Sequence, residues 1–173
     1  MPGPRPGPPL EFGKALLEAW AVNERMNQFL LENLAAGAWR AEPPGGKGRT
    51  IAAIFAHLHN VRHMWLTVSA REGKIPEKLD RIKCTSKQAS AALAKSSAAI
   101  QDMLAAALAR PDGKVKDFRP DVVGMFGYMV SHEAHHRGQI CMLARQTGHP
   151  LSQAAAYGLW EWSKLWSGLG FRR

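Results

Sequence analysis

Residues 120–146 read PDVVGMFGYMVSHEAHHRGQICMLARQ, and the winding of this stretch decides the fold. Pro120-Asp121 marks a helix start, and Gly148 and Pro150 mark its stop. Between them Val122, Met125, Met129, Ile140 and Leu143 recur at three- and four-residue steps, the period of a helix rather than of a strand. Steps of about 100° per residue put His136 about 40° from His132, one turn later and on the same apolar wedge. Both histidines are therefore expected in the middle of the core-facing stripe. His135 falls about 60° to the other side, at the stripe's edge.

Burying two neutral imidazoles requires two sets of hydrogen-bond partners, which the flanking residues do not offer. One divalent metal ion would satisfy both rings, and i, i+4 on one helix face is the spacing that histidine metal pairs use. A stable site needs a third ligand. The segment AHLHNVRH, residues 56–63, offers His57, His59 and His63. His57 shares its flank with Val61, Met64 and Val68 and is best placed to reach a neighbouring helix. His59 and His63 form an i, i+4 pair of their own. They lie about 100° or more from the stripe of Ile54, Leu58 and Trp65 and read as solvated. The angles separate these three candidates only moderately.

Working outward, residues 1–9 hold five prolines and two glycines and read as a disordered lead, with one domain over 10–173. Leu10, Leu17, Trp20, Val22, Met26, Phe29, Leu30 and Leu34 predict a first helix. AEPPGGKGR, residues 41–49, is a plain connection, since its glycines lack the Walker spacing. Thr50 can cap a second helix that ends around 71–73. Thr85 or Ser86 opens an alanine-rich third helix, read as close-packing scaffold with little chemistry. LSQAAAYGLWEWSKLW, from Leu151, predicts a short fifth segment with Leu159, Trp162 and Trp166 on one side. Four long amphipathic segments and no strand pattern define an all-α four-helix bundle with a short extra C-terminal helical segment.

Composition narrows the function classes. The chain of 173 residues is 46% hydrophobic and carries a net charge of +9. Its 23 Lys and Arg are dispersed, without interleaved aromatics, so the charge reads as a solvated surface rather than a nucleic-acid interface. Two cysteines, Cys84 and Cys141, lack metal-type spacing and fit a reducing compartment. No apolar run approaches the length of a membrane span, and no secretory signal opens the chain, so a cytoplasmic location is expected.

TIAAIFAHLHNVRHMWL in the second helix, HEAHHRGQI in the fourth and LWEW near the C terminus resemble the DinB/YfiT-like family of bacterial metal-binding bundles. The resemblance implies an up-down-down-up bundle and a divalent metal held by His57, His132 and His136. It also implies a homodimer, an expectation that the tryptophans near the C terminus support. Relatives in the wider superfamily include transferases and isomerases that use low-molecular-weight thiols.

Three neutral imidazoles leave open coordination positions, the layout of a catalytic rather than a structural site. A divalent ion there would lower the pKa of bound water or of a thiol. Zinc or nickel is the expected metal, with iron possible, because imidazole suits all of them. The expected function is that of a metal-dependent enzyme on a small molecule, a thiol-dependent transferase or a hydrolase. The alternative is a non-catalytic, metal-stabilised dimer serving as a stress-related binding module. Gln139, about 20° from His132, is a candidate to orient a ring or a substrate, and His135 a candidate supporting residue. Glu133 and Arg137 point away from the ligand direction; a salt bridge or subunit contact is expected of Arg137. Gly138 is a candidate for close helix approach, and Cys141 a small packing residue.

Overall fold

The computed structural model describes residues 10–69 and 75–172. The expected disordered lead at 1–9 and the expected end of the second helix at 71–73 lie outside them. The helices are α1 (Phe12–Glu32), α2 (Ile51–Ser69), α3 (Ser86–Leu108), α4 (Val122–Gln146), α5 (Gln153–Gly158) and α6 (Trp162–Gly168). No strand occurs among the described residues.

The helix starts follow their capping chemistry. The Ala53 N–H donates to the Thr50 hydroxyl oxygen. Thr85 opens α3 with a full capping box: its hydroxyl accepts from the Gln88 N–H, and the Gln88 side chain accepts from the Thr85 N–H. The Asp121 carboxylate accepts from the N–H groups of Val123 and Gly124 at the start of α4.

Side-chain pairs give the direction of each helix. Trp20 and Gln28 of α1 donate to the carbonyls of Ser97 and Ser90, so α1 and α3 run antiparallel. Against α4, Leu16 and Trp20 pack near Met125 and Met129, whereas Leu30 packs near Ile140 and Leu143; those two run parallel. Ala52 and Ala56 lie near Cys84, and Leu66 near Met103, so α2 and α3 are parallel. His57 faces His136, and Trp65 faces Tyr128, so α2 and α4 are antiparallel. This is the up-down-down-up arrangement, with α1 beside α3 and α4, and α2 beside α3 and α4. Parallel α2 and α3 need a long crossover, of which residues 75–85 are described.

The C-terminal segment differs from the single stripe expected. It is two short helices separated by a turn at Leu159–Glu161, in which the Trp160 N–H donates to Tyr157 and the Trp162 N–H to Trp160. Ala155, Gly158, Leu159 and Leu165 are buried, with Trp166 half-buried, while Trp162 is exposed. Trp166 meets α1, where its indole N–H donates to Glu18, and Trp162 lines the same groove while remaining exposed.

The core is not continuous. One apolar cluster gathers Leu30, Phe55, Leu58, Leu93 and Ile140 with their neighbours. A second gathers Trp20, Leu66, Ile100, Met125 and Met129 with theirs. Between them every long helix contributes buried polar side chains: Asn23 and Asn27 from α1, Arg62 from α2, Ser96 and Ser97 from α3, Glu133 and Arg137 from α4. The bundle is two apolar halves with a charged layer across its middle.

Candidate metal centre

His57 projects from α2, and His132 and His136 from α4, at one rim of that layer. One ring nitrogen of each lies within 4.8 Å of the others. Ring centroids are 5.3 Å apart for His57 and His132, 4.7 Å for His57 and His136, and 4.6 Å for His132 and His136. His57 Nε2 and His132 Nε2 are 3.3 Å apart. Metal–nitrogen bonds of about 2.0–2.1 Å in tetrahedral geometry put two ligand nitrogens about 3.3–3.4 Å apart. The group is close enough to hold a metal ion.

The outer nitrogen of His136 agrees with that reading. The His136 Nδ1–H donates to Gln139 Oε1 at 2.7 Å, which leaves the Nε2 lone pair for the shared centre. The Gln139 amide N–H in turn donates to His135 Nε2 at 2.9 Å, fixing which way the amide faces. Gln139 thus orients a ring, and the exposed His135 supports it through Gln139. His57 Nδ1 and His132 Nδ1 are buried and have no hydrogen-bond partner. Among the described residues, then, only His136 has the outer hydrogen bond that a ligating ring usually donates.

Burial pushes the His57 imidazole down to about 4, helped by the positive charge of Arg49 and the neighbouring imidazoles. His132 and His136 are also held below the ordinary histidine value, again chiefly by burial. All three are neutral near pH 7, which is the form that binds a metal. The same shifts predict how the metal-free protein responds to acid. Depressed histidines in the fold mean that the unfolded chain binds more protons below its ordinary value of 6.5. The stability of the metal-free protein is expected to hold above pH 6.5 and to fall as the pH drops toward 4. Urea titrations at stepped pH check this; a flat profile across that window would contradict the neutral triad.

Beyond His132 the α2–α4 seam is aromatic. Tyr128 stacks on His132 at 6.1 Å and 18°, Trp65 meets Tyr128 at 5.6 Å, and Phe118 lies against both. The Trp65 indole N–H is buried and lacks a partner.

Several expectations change. The centre of the buried stripe on α4 lies about 70° from His132, between His136 and Glu133. His136 is buried as expected, while His132 is half-buried at the stripe's edge. Glu133 is fully buried, and its carboxylate accepts from Asn23, Asn27, and the Nε and Nη2 of Arg62 at 2.6–2.8 Å. Arg137 is buried too, donating to the side-chain oxygens of Asn23 and Asn27 within its own chain rather than to a second subunit. Gly138 is exposed, and a Cβ there would meet nothing within 4 Å, so it permits no close approach within the chain. Cys141 packs half-buried against the apolar cluster, and burial pushes its thiol up, consistent with a packing role.

His59 and His63 are not solvated. His59 is fully buried, with Nδ1 beside the Ala92 carbonyl and the Ser96 hydroxyl and Nε2 beside the Glu77 carbonyl. His63 Nδ1 lies 2.7 Å from the Pro76 carbonyl, and Asn60 exchanges two hydrogen bonds with Leu79. This flank of α2 anchors the long crossover. One histidine of AHLHNVRH faces the centre, and the other two hold a loop. The scaffold helix α3 also has more chemistry than its alanines suggest, because its Ala92 and Leu93 carbonyls serve His59 and Arg62.

The family model of DinB matches residues 10–164. The chain belongs to the DinB family. No curated protein and no solved structure matches it. For this DinB protein, the polar layer was the part that sequence reasoning missed. Its one signal in the sequence is Asn23 and Asn27, spaced i, i+4 within an otherwise apolar face of α1.

Proposed function

We propose that this DinB protein is a metal-dependent enzyme that activates a small thiol for transfer to an electrophilic substrate, with His57, His132 and His136 as the metal ligands. The observation that carries this reading is the convergence of three neutral imidazoles with no protein carboxylate or thiol among them, which leaves coordination positions free. A bound divalent ion, zinc or nickel by the nature of the ligands, supplies Lewis acidity and lowers the pKa of a coordinated thiol or water. The protein's part is positional. Gln139 sets the tautomer of His136, and the Tyr128 and Trp65 rings wall the seam beside His132. Arg49 is exposed, and its charge reaches all three imidazoles, which favours an anionic reactant such as a thiolate. Hydrolysis by activated water is the rival chemistry at the same centre.

Metal-loaded protein screened with low-molecular-weight thiols and electrophilic acceptors tests the proposal. Turnover that needs the thiol and disappears with chelator supports it; turnover without thiol points to hydrolysis. A second reading, a non-catalytic metal-stabilised dimer, is favoured by the exposed Tyr157, Trp160 and Trp162 of the C-terminal segment. Metal-dependent heat stabilisation of a sedimenting dimer, with no turnover, would select that reading. No helix among the described residues is long and apolar enough to cross a membrane.

A further inference from the structure

The triad depends on the register between two antiparallel helices. A slip of one turn, about 5.4 Å, would carry His57 away from both His132 and His136. Apolar contacts resist such a slip weakly, because a stripe of similar side chains finds new partners one turn along. The charged layer behaves differently. Arg62, five residues beyond His57 on α2, forms two parallel bonds to Glu133, the neighbour of His132 on α4, at 2.7 and 2.8 Å. Two such bonds form together only in one register.

The same pair is held from the remaining sides. Arg62 Nη1 donates to the Leu93 carbonyl of α3 and lies 2.8 Å from Glu24 of α1, and its guanidinium covers the Trp20 ring at 5.0 Å. Glu133 also accepts from Asn23 and Asn27 of α1, whose side-chain oxygens accept from Arg137. Every long helix is thus tied to one carboxylate adjacent in sequence to His132. Burying such charges is a poor way to gain stability, and fixing register is their best-attested use.

We propose that Arg62 and Glu133 are positioning residues of the metal centre, locking α2 against α4 in the one register that brings the three imidazoles together. This rests on the metal-centre reading above. The test is the double variant Arg62→Met with Glu133→Gln, which removes both charges and retains an oxygen for the Asn23 and Asn27 donors. Circular dichroism and melting report the fold; competition with a chelating dye and the visible spectrum of the cobalt(II)-loaded protein report the centre.

The expected result is a folded helical protein whose zinc and cobalt affinities fall about tenfold or more, with an altered cobalt spectrum. A folded variant with wild-type affinity and spectrum overturns the proposal. Should the double variant not fold, Arg62→Lys keeps the charge and loses the fork; weakened metal binding by a folded Arg62→Lys protein supports the lock, and unchanged binding overturns it. Ile100→Val, in the apolar cluster beyond the layer, is the control. If it lowers metal affinity as much for a similar fall in melting temperature, the effect is general loosening and the lock is refuted. Wild-type protein that binds neither metal refutes the metal-centre reading itself, a result distinct from a wild-type centre indifferent to these substitutions.

Discussion

Glu133→Ala is expected to destabilise the protein by about 3–5 kcal/mol. Both partners of the ion pair have no exposed side-chain surface. Burial opposes the charge on Glu133, and Arg62, Asn27 and Arg137 together more than offset it, holding the carboxyl below its usual range. Burial likewise opposes the Arg62 charge, and Glu133 and Glu24 hold it above its usual value. Removing the carboxylate leaves Arg62 with Glu24 and the Leu93 carbonyl, and strands the amide donors of Asn23 and Asn27. Buried donors without acceptors cost about 1–3 kcal/mol each, which accounts for the size of the loss. Domains of this kind are stable by about 5–15 kcal/mol in all, so much of the margin is consumed. Urea unfolding followed by circular dichroism reads the change directly. A loss below about 1 kcal/mol, the range of an exposed pair, would mean that the carboxylate is not held as an ion by this layer.

The second large effect is on metal binding. His136→Ala is expected to weaken binding of zinc or nickel about a hundredfold or more, by removing one of three ligands whose combined binding energy is of order 10 kcal/mol. His136 is the most buried ring of the three, and Gln139 holds its tautomer. It is therefore the ligand whose geometry depends least on anything moving. Its loss leaves His57 and His132, a two-nitrogen pair 3.3 Å apart. Calorimetric titration of the metal-free variant measures the change, with melting in the presence of metal as a second readout. At metal concentrations one hundred times Kd the wild type gains about 2.7 kcal/mol by mass action, and the variant should gain almost none. Wild-type affinity in His136→Ala would remove this residue from the ligand set.

The helices were legible because their information is local. Thr50, Thr85 and Asp121 sit where the free N–H groups of a helix start need an acceptor, and apolar residues recur at helical steps behind each. His132 and His136 were legible for the same reason, since spacing on one helix fixes their common side. His57 was separable from His59 and His63 only in part by angle, and the difference lies in what covers them. The crossover carbonyls of Pro76, Glu77 and Leu79 come to α2 from a segment whose path no helical wheel contains. Glu133 and Arg137 lie off the ligand direction, as their angles require, but angle alone did not show that both are buried. Whether a charge is buried depends on partners two and three helices away in the sequence, here Arg62 on α2 and Asn23 and Asn27 on α1. In the C-terminal segment Leu159 and Trp166 lie inward as the stripe requires, whereas Trp162 is exposed, because the Leu159–Glu161 turn breaks the helical phase and Leu165 takes a buried place.

The charged layer has a consequence for electroneutrality. Within it Arg62 and Arg137 stand against Glu24 and Glu133, two positive charges and two negative ones in mutual reach. The interior is already balanced and holds no surplus anion. A divalent ion held by three neutral imidazoles at its rim would therefore keep its full double charge as far as the protein is concerned. An anion would then be favoured there over a neutral occupant of the same size.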